Sequence, residues 1–269
     1  MKGDAHSRFR RTARLLLRWG FDPRLTASSV KGLTWFRRDV RSYRNMHRAS
    51  SGEFPIISKF PITSDRQTHA GTASGHYFHQ DLLVASAIER TRPRCHIDVG
   101  SRVDGFVAHV ASFMPISVVD VRPLVSSHPN ITFRLGDISS SKTLTGLKAD
   151  SVSCLHALEH VGLGRYGDNL NYDGWRFGLD NLFGLLEPGG LLYVSVPTGA
   201  KQGVEFNAHR IFRLPFFRDE LALRGQILDL AFVDDLGNLQ RDCDPYCEQA
   251  HESFGARYGL SIWTVSNSA

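Results

Sequence analysis

The chain has 269 residues, 42% of them apolar and 22% charged, with a net charge of +5. Those fractions exclude a disordered or low-complexity chain and point to one α/β domain with an appendage. No apolar run is long enough to span a membrane, Leu15-Leu16-Leu17 is too short for a secretory h-region, and the four scattered cysteines form no disulfide framework. The expectation is a cytoplasmic protein in a reducing compartment. Cys243 and Cys247 lack a second pair for zinc and read as ordinary thiols.

The charge is unevenly placed. Residues 1–50 carry 13 Lys/Arg against 3 Asp/Glu, and the remainder 19 against 24. The basic character therefore belongs to an N-terminal arm. Residues 8–18 have the pattern of a basic amphipathic helix, and Phe36, Val40 and Tyr43 among four arginines mark a second. Such an arm serves either as a solvated helical cap, the commoner role of charge runs, or as a peripheral contact with an anionic membrane; nucleic acid is not expected. Residues 49–75, rich in Ser, Gly, Thr and Pro, read as an extended connector. The expected division is an arm and connector over 1–75 and the main domain over 76–269.

Gly75-His-Tyr-Phe-His-Gln-Asp81 opens a helix that runs to Arg90. His76, Tyr77 and Gln80 lie at helical spacing and form one polar-aromatic face, placed to cross a ligand crevice or simply to pack the helix. From Cys95 strands alternate with helices. Strands are expected near 95–99, 116–121, 131–134, 151–155 and 191–196, and helices near 104–113, 174–186 and 214–224. Glu187-Pro-Gly-Gly190 is expected to break the chain sharply before the last of those strands. Ile227–Val233 and Leu260–Val265 are expected to close the sheet as an antiparallel pair. Alternation of this kind argues a parallel, doubly wound sheet.

Cys95-His-Ile-Asp-Val-Gly-Ser-Arg-Val-Asp-Gly105 reads as strand, tight turn and helix, which makes a crevice at the strand's C-terminal end. A dinucleotide fingerprint would need glycine where Arg102 stands. S-adenosylmethionine (SAM) has no phosphate and needs instead a carboxylate near its amino group, which Asp98 offers directly or through water beside Gly100 and Ser101. It also needs an acid for the ribose about 20 residues on. Asp120, at the end of the next apolar run, is that acid.

With these residues placed, the chain resembles the class I SAM-dependent methyltransferases over about residues 95–200. Asp98-Val-Gly100-Ser101 is similar to the first motif and Asp120 to the ribose acid. Gly136-Asp137-Ile138 is similar to the segment whose acid reaches the adenine amino group, Leu158-Glu-His-Val161 to the segment after the fourth strand, and Leu186-Glu-Pro-Gly-Gly190 to the turn into the fifth. A closer resemblance is to the family known as domain of unknown function 268. It rests on residues 75–81, Leu155-His-Ala-Leu-Glu-His160, Gly162-Leu-Gly-Arg-Tyr-Gly-Asp168 and Phe206-Asn-Ala-His-Arg210. The resemblance implies a Rossmann-like, mostly parallel seven-stranded sheet, SAM as cofactor, and an acceptor from glycan biosynthesis. It also implies cofactor contacts from Asp98, Gly100, Ser101, Asp120, Asp137, His76, Tyr77 and Gln80.

Methyl transfer needs an in-line nucleophile and, for a hydroxyl, a base. The densest supply of bases follows the fourth strand: His156, Glu159 and His160, preferred in the order His160, His156, Glu159. Arg165, Tyr166, Asp168, Asn207, His209 and Arg210 are the expected substrate-binding residues. His-x-x-Glu-His also has the order of the inverted zinc-protease motif. No metal is expected, because the segment follows a strand and leads into Gly162-Leu-Gly164, where a metal motif would have a long helix. The expected function is O-methylation of a sugar or glycan precursor. Its rivals are a non-catalytic SAM-binding module in a glycan-assembly complex and an NAD-linked sugar enzyme, against which Arg102 argues.

Overall fold

In this computed structural model the described residues are 23–267 apart from 51, 64, 68, 126 and 127. The expected helix over 8–18 lies outside them. The chain forms two compact units, residues 1–72 and 73–269. The first contains a long helix, α1 (Pro23–Ala49), which includes the Phe36–Tyr43 segment, and a largely irregular stretch interrupted by one 3₁₀ turn at Asp65–Gln67. No helix among the described residues is long and apolar enough to cross a membrane.

The second unit begins with α2 (His76–Thr91). It continues through β1 (His96–Val99), a π-turn at Val103–Val107, α3 (Ala108–Ala111), β2 (Ile116–Asp120), β3 (Ile131–Leu135) and β4 (Ala149–Leu155). After a 3₁₀ turn at Leu158–His160 come α4 (Gly174–Gly184), β5 (Leu186–Thr198), β6 (Gly203–Glu205), β7 (His209–Ile211) and α5 (Leu214–Ala222). The chain ends with β8 (Gln226–Val233), β9 (Leu239–Gln240), α6 (Glu248–His251) and β10 (Gly259–Ser266).

The main sheet has eight strands in the order β3-β2-β1-β4-β5-β10-β8-β9. β1 to β5 pair in parallel, and β10 runs antiparallel between β5 and β8. The expected count of seven is exceeded by the two-residue β9, which pairs on the edge of β8. The expected break at Glu187-Pro-Gly-Gly190 lies inside β5: Ala149 pairs with Leu186, the register shifts, and regular pairing resumes at Ser151 with Leu191. The expected helix over 104–113 begins as a π-turn and yields only one α-helical turn.

Side-chain alternation divides the core between the two sheet faces. On β5, Leu192, Val194 and Val196 join Leu179 and Leu182 of α4, Phe217 and Leu221 of α5, and Trp263. Leu191 and Tyr193 turn to the other face, with Val84 and Ile88 of α2, Phe106 and Val110. Strand order reverses between β1 and β4, and β1, β2, β3 and β4 all end on that side. In a doubly wound sheet the ligand crevice opens there.

Candidate active site

The cleft at the switch point is walled by the strand ends: Val99 of β1 and Gly100 after it, Val119 and Asp120 of β2, Gly136 and Asp137 after β3, and Cys154 and His156 at the end of β4. Gly100 has φ +73°, and a Cβ there would stand 3.0 Å from the Ala157 Cβ. The turn therefore requires glycine both for its conformation and for its close approach to the next loop.

Asp98 lies beneath this turn and is fully buried. It accepts hydrogen bonds from the Ser101 backbone N–H and Oγ–H and from the Ser153 hydroxyl. This corrects the expectation of a direct ligand contact: the carboxylate holds the loop from below, and Ser101 relays that hold by accepting from the Leu155 N–H. Gln80 needs the same correction. It is buried, accepts from the Ser195 hydroxyl and donates to Asp81, so it ties α2 to β5 and does not face the cleft.

Asp120 and Asp137 do line the cleft, on adjacent strand ends. Asp137 accepts from the Ser139 N–H and hydroxyl, both on the same oxygen. Asp120 is clasped by Arg122, a residue the sequence reading passed over although it stands two positions away. Arg102, the departure from glycine, turns outward to Asp104 and over the Tyr77 ring.

A second cavity adjoins the cleft through Gly100, His156, His160 and Tyr166. It brings together segments that are far apart in sequence. His76 and Tyr77, at the start of α2, meet the His156 ring, with Tyr77 stacked on it at 4.9 Å between centroids. Tyr77 therefore lines the second cavity and not the cleft, while His76 lines neither and backs the His156 ring. The β6–β7 hairpin carries Ala208 and His209 to the opposite side. Tyr258, just before β10, lies 5.3 Å from the His76 ring and 4.9 Å from that of His209. Nothing local in the sequence marks Tyr258; only the antiparallel return of β10 brings it here.

Between cleft and cavity sits the 3₁₀ turn Leu158–His160. His156 precedes it with φ +55°, a left-handed conformation that is uncommon for a non-glycine residue and tends to mark functional sites. Its Nδ1 faces Glu159 Oε1, and its Nε2 lies 3.3 Å from His76 Nδ1. Glu159 is fully buried. Burial raises its pKa, but His156 and then His160 outweigh that and hold it below the ordinary glutamate value. His160 donates from Nδ1 to the Ala208 carbonyl at 2.6 Å, and its Nε2 lies 3.5 Å from Glu159 Oε1. Burial lowers the pKa of His160, and burial together with repulsion from His156 lowers that of His76 to about 4. Burial thus favours the neutral imidazole at His76 and His160, beside the Glu159 carboxylate.

The expected substrate residues divide. Arg165, Tyr166 and His209 line the second cavity, Arg165 donating to the Ala208 carbonyl and Tyr166 lying edge-on to His160. Asp168 accepts from the backbone N–H groups of Gly162, Gly164 and Tyr166 and so shapes the loop it ends. It also lines the cleft. Arg210 is buried, and its guanidinium donates to the carbonyls of Glu159, Val161 and Tyr172. It pins the 3₁₀ turn to the hairpin and lines neither cavity. Asn207 is exposed at the hairpin tip.

Residues 134–218 match the family described as Caenorhabditis protein of unknown function, DUF268. No curated protein sequence matches the chain. Among solved structures, the chain is similar to the N-methyltransferase NodS from Bradyrhizobium japonicum WM9 in complex with S-adenosylhomocysteine (SAH), with 13% identity and a TM-score of 0.45 over 80% of this chain and 95% of that one. It is similar to the 1,6-didemethyltoxoflavin-N1-methyltransferase of Burkholderia thailandensis at 18% identity and a TM-score of 0.47, over 70% of this chain and 79% of that one. A SAM-dependent methyltransferase from Clostridium acetobutylicum gives 12% identity and a TM-score of 0.48, over 72% and 92%. The strand order, with β10 antiparallel to both β5 and β8, stands on its own. The fold is a doubly wound, mostly parallel Rossmann-like sheet flanked by helices.

Proposed function

We propose that the protein is a SAM-dependent methyltransferase acting on a hydroxyl of a sugar or glycan precursor. One observation carries this reading: Asp120 and Asp137, on adjacent strand ends, face the same cleft into which the His156–Glu159–His160 cluster opens. The residues fit the cofactor. The bare backbone at Gly100, the apolar Val121, Ile138 and Cys154, and the acid at the end of β2 suit a nucleoside without phosphate. SAM supplies a methyl group on a sulfonium, and the carbon–sulfur electron pair goes to sulfur, leaving a thioether.

The protein's part is to hold the acceptor in line, exclude water and take up the hydroxyl proton. The cluster lies where the two cavities meet, so it faces a hydroxyl presented from the second cavity. The aromatic rings of Tyr77, Tyr166 and Tyr258 line that cavity together with Arg102, Arg122 and Arg165. Flat rings beside fixed donors suit a sugar that also carries negative charge.

The test is calorimetry with SAH, followed by transfer of labelled methyl from SAM to a panel of free sugars, nucleotide sugars, phenols and amines. Binding with turnover on a sugar hydroxyl is expected. Turnover on amines alone would overturn the acceptor class. Binding without turnover on any acceptor would favour the non-catalytic module, and no binding would remove the cofactor assignment.

A further inference from the structure

We propose that His156, Glu159 and His160 form a binding site for one divalent first-row transition-metal ion. Each offers one ligand atom, and the three atoms lie within 4.8 Å of one another. Two imidazole nitrogens and a carboxylate oxygen suit zinc, manganese, iron or cobalt, whereas calcium and magnesium prefer all-oxygen sites. The site's existence does not depend on the methyltransferase reading; its role, holding the acceptor oxygen, rests on that reading.

The first ground is an incomplete carboxylate. Glu159 is fully buried, and its Oε2 has no hydrogen-bond partner among the described residues. A buried charge left so is costly, and native structures pair it or place it on a metal. The second ground is a proton count. The Ala208 carbonyl can only accept, so His160 Nδ1 carries the proton of the neutral ring. The Nε2 lone pair then faces Glu159 Oε1 at 3.5 Å, two electron-rich atoms with nothing between them. A metal ion between them would take both as ligands.

The third ground is the outer shell. Metal-binding imidazoles hold their far nitrogen on a second group, which fixes the ring. Here His160 uses the Ala208 carbonyl and His156 uses His76 Nδ1. His209 stands beside them, its ring 6.5 Å from that of His160; its buried Nε2 has no hydrogen-bond partner among the described residues and lies 3.5 Å from a Glu205 oxygen. The sequence reading set a metal aside for want of a long helix. The left-handed His156 and the 3₁₀ turn bring the ligands together without one. Both histidines also border the cleft and the second cavity, so coordination positions remain open to an acceptor.

Tag-free protein is stripped with a chelator and titrated with Zn²⁺ alone and with Mn²⁺ alone, in the absence of SAM and acceptor. Binding of one ion per chain is expected, with the Co²⁺ form showing d–d absorption from nitrogen ligation. A His156→Ala/His160→Ala double variant should lose at least a hundredfold in affinity while keeping its circular dichroism. Should that variant not fold, Glu159→Gln should weaken binding at least tenfold, and His76→Phe, which acts on His156 as a positioning residue, by about 10–100-fold. No uptake of any of the three ions by the wild type, or uptake unchanged in the folded variants, would overturn the proposal and leave a hydrogen-bonded triad. SAH binding to the stripped protein tests the methyltransferase reading separately.

Discussion

Arg122 clasps Asp120 at both carboxylate oxygens, with Nε 3.0 Å from Oδ1 and Nη2 2.8 Å from Oδ2. The Arg122 backbone N–H donates to Oδ1 as well, at 2.8 Å. The acid assigned to the ribose is therefore held by its own neighbour in this structure, and the sugar diol must share it or displace the guanidinium.

Two variants separate these cases. Asp120→Ala should lose charge-assisted bonds worth about 1.5–3 kcal/mol, roughly a ten- to hundredfold loss of SAH affinity. Arg122→Ala should tighten SAH binding by up to about 1 kcal/mol, the worth of such a half-exposed pair. Calorimetry measures both. Unchanged affinity in Asp120→Ala would remove the ribose assignment, and weaker binding in Arg122→Ala would make the arginine a support.

His160 should matter to turnover more than to cofactor binding. His160→Gln keeps a side chain able to hydrogen bond to the Ala208 carbonyl but gives up the imidazole. A fall in kcat of about 10²–10⁴-fold is expected, with SAH affinity near wild type. Turnover close to wild type would make His160 a structural residue and move attention to His156 and His209.

Tyr258, ring to ring with His76 and His209, should serve the acceptor. Tyr258→Ala is expected to raise the acceptor KM several-fold and leave SAH binding alone. A loss of SAH affinity with no change in KM would place it with the cofactor.

Arg210 should reveal itself through stability. Its guanidinium satisfies the carbonyls of Glu159, Val161 and Tyr172, and Arg210→Met would strand them. The expected loss is about 1.5–3 kcal/mol, at about 2–4 °C of Tm per kcal/mol in a domain of this size. A melting curve equal to wild type would show that water replaces the guanidinium without penalty.

Stability should depend on pH through two buried groups that share Ser153. Burial takes His96 from 6.5 to about 3, so its contribution is full above 6.5 and is lost as pH falls toward 3. Burial takes Asp98 the other way, from 3.8 to about 6, against the Ser101 and Ser153 hydrogen bonds; its contribution is full below 3.8 and is lost as pH rises through 6. Where the two windows overlap the slopes oppose, each at about 1.4 kcal/mol per pH unit. His96→Gln removes one slope. The Tm deficit of that variant should therefore be larger near pH 6.5 than at pH 4.5, as differential scanning calorimetry would show. A deficit independent of pH would mean that His96 is not held neutral by burial.

The order of strands and helices was readable because apolar runs of five or six residues ending in Asp or Gly alternate with helical periods. Residues 116–120, 131–135 and 226–233 needed no tertiary information to be recognised. Boundaries failed where pairing overrode local chemistry: Pro188 and Gly189, strong breakers alone, are carried within β5 by its partner β4. Asp120, Asp137, His156 and His160 were legible as residues at the cleft because each lies at a strand end or within five residues of one. Gln80, Asp98 and Arg210 carry the same polar chemistry, yet the fold turns them inward onto backbone and side-chain partners.

The sequence by itself determined the doubly wound sheet, the crevice after β1 and the acids at the ends of β2 and β3, since periodicity and glycine placement are local properties. Only the tertiary structure decided which polar groups face the crevice and which support it. Burial and hydrogen-bond partners depend on neighbours distant in sequence: Ser153 under Asp98, Ala208 against His160, His76 on His156, and Tyr258 across from both histidine-bearing segments. A histidine's role depends on what its second nitrogen touches, and no stretch of sequence states that.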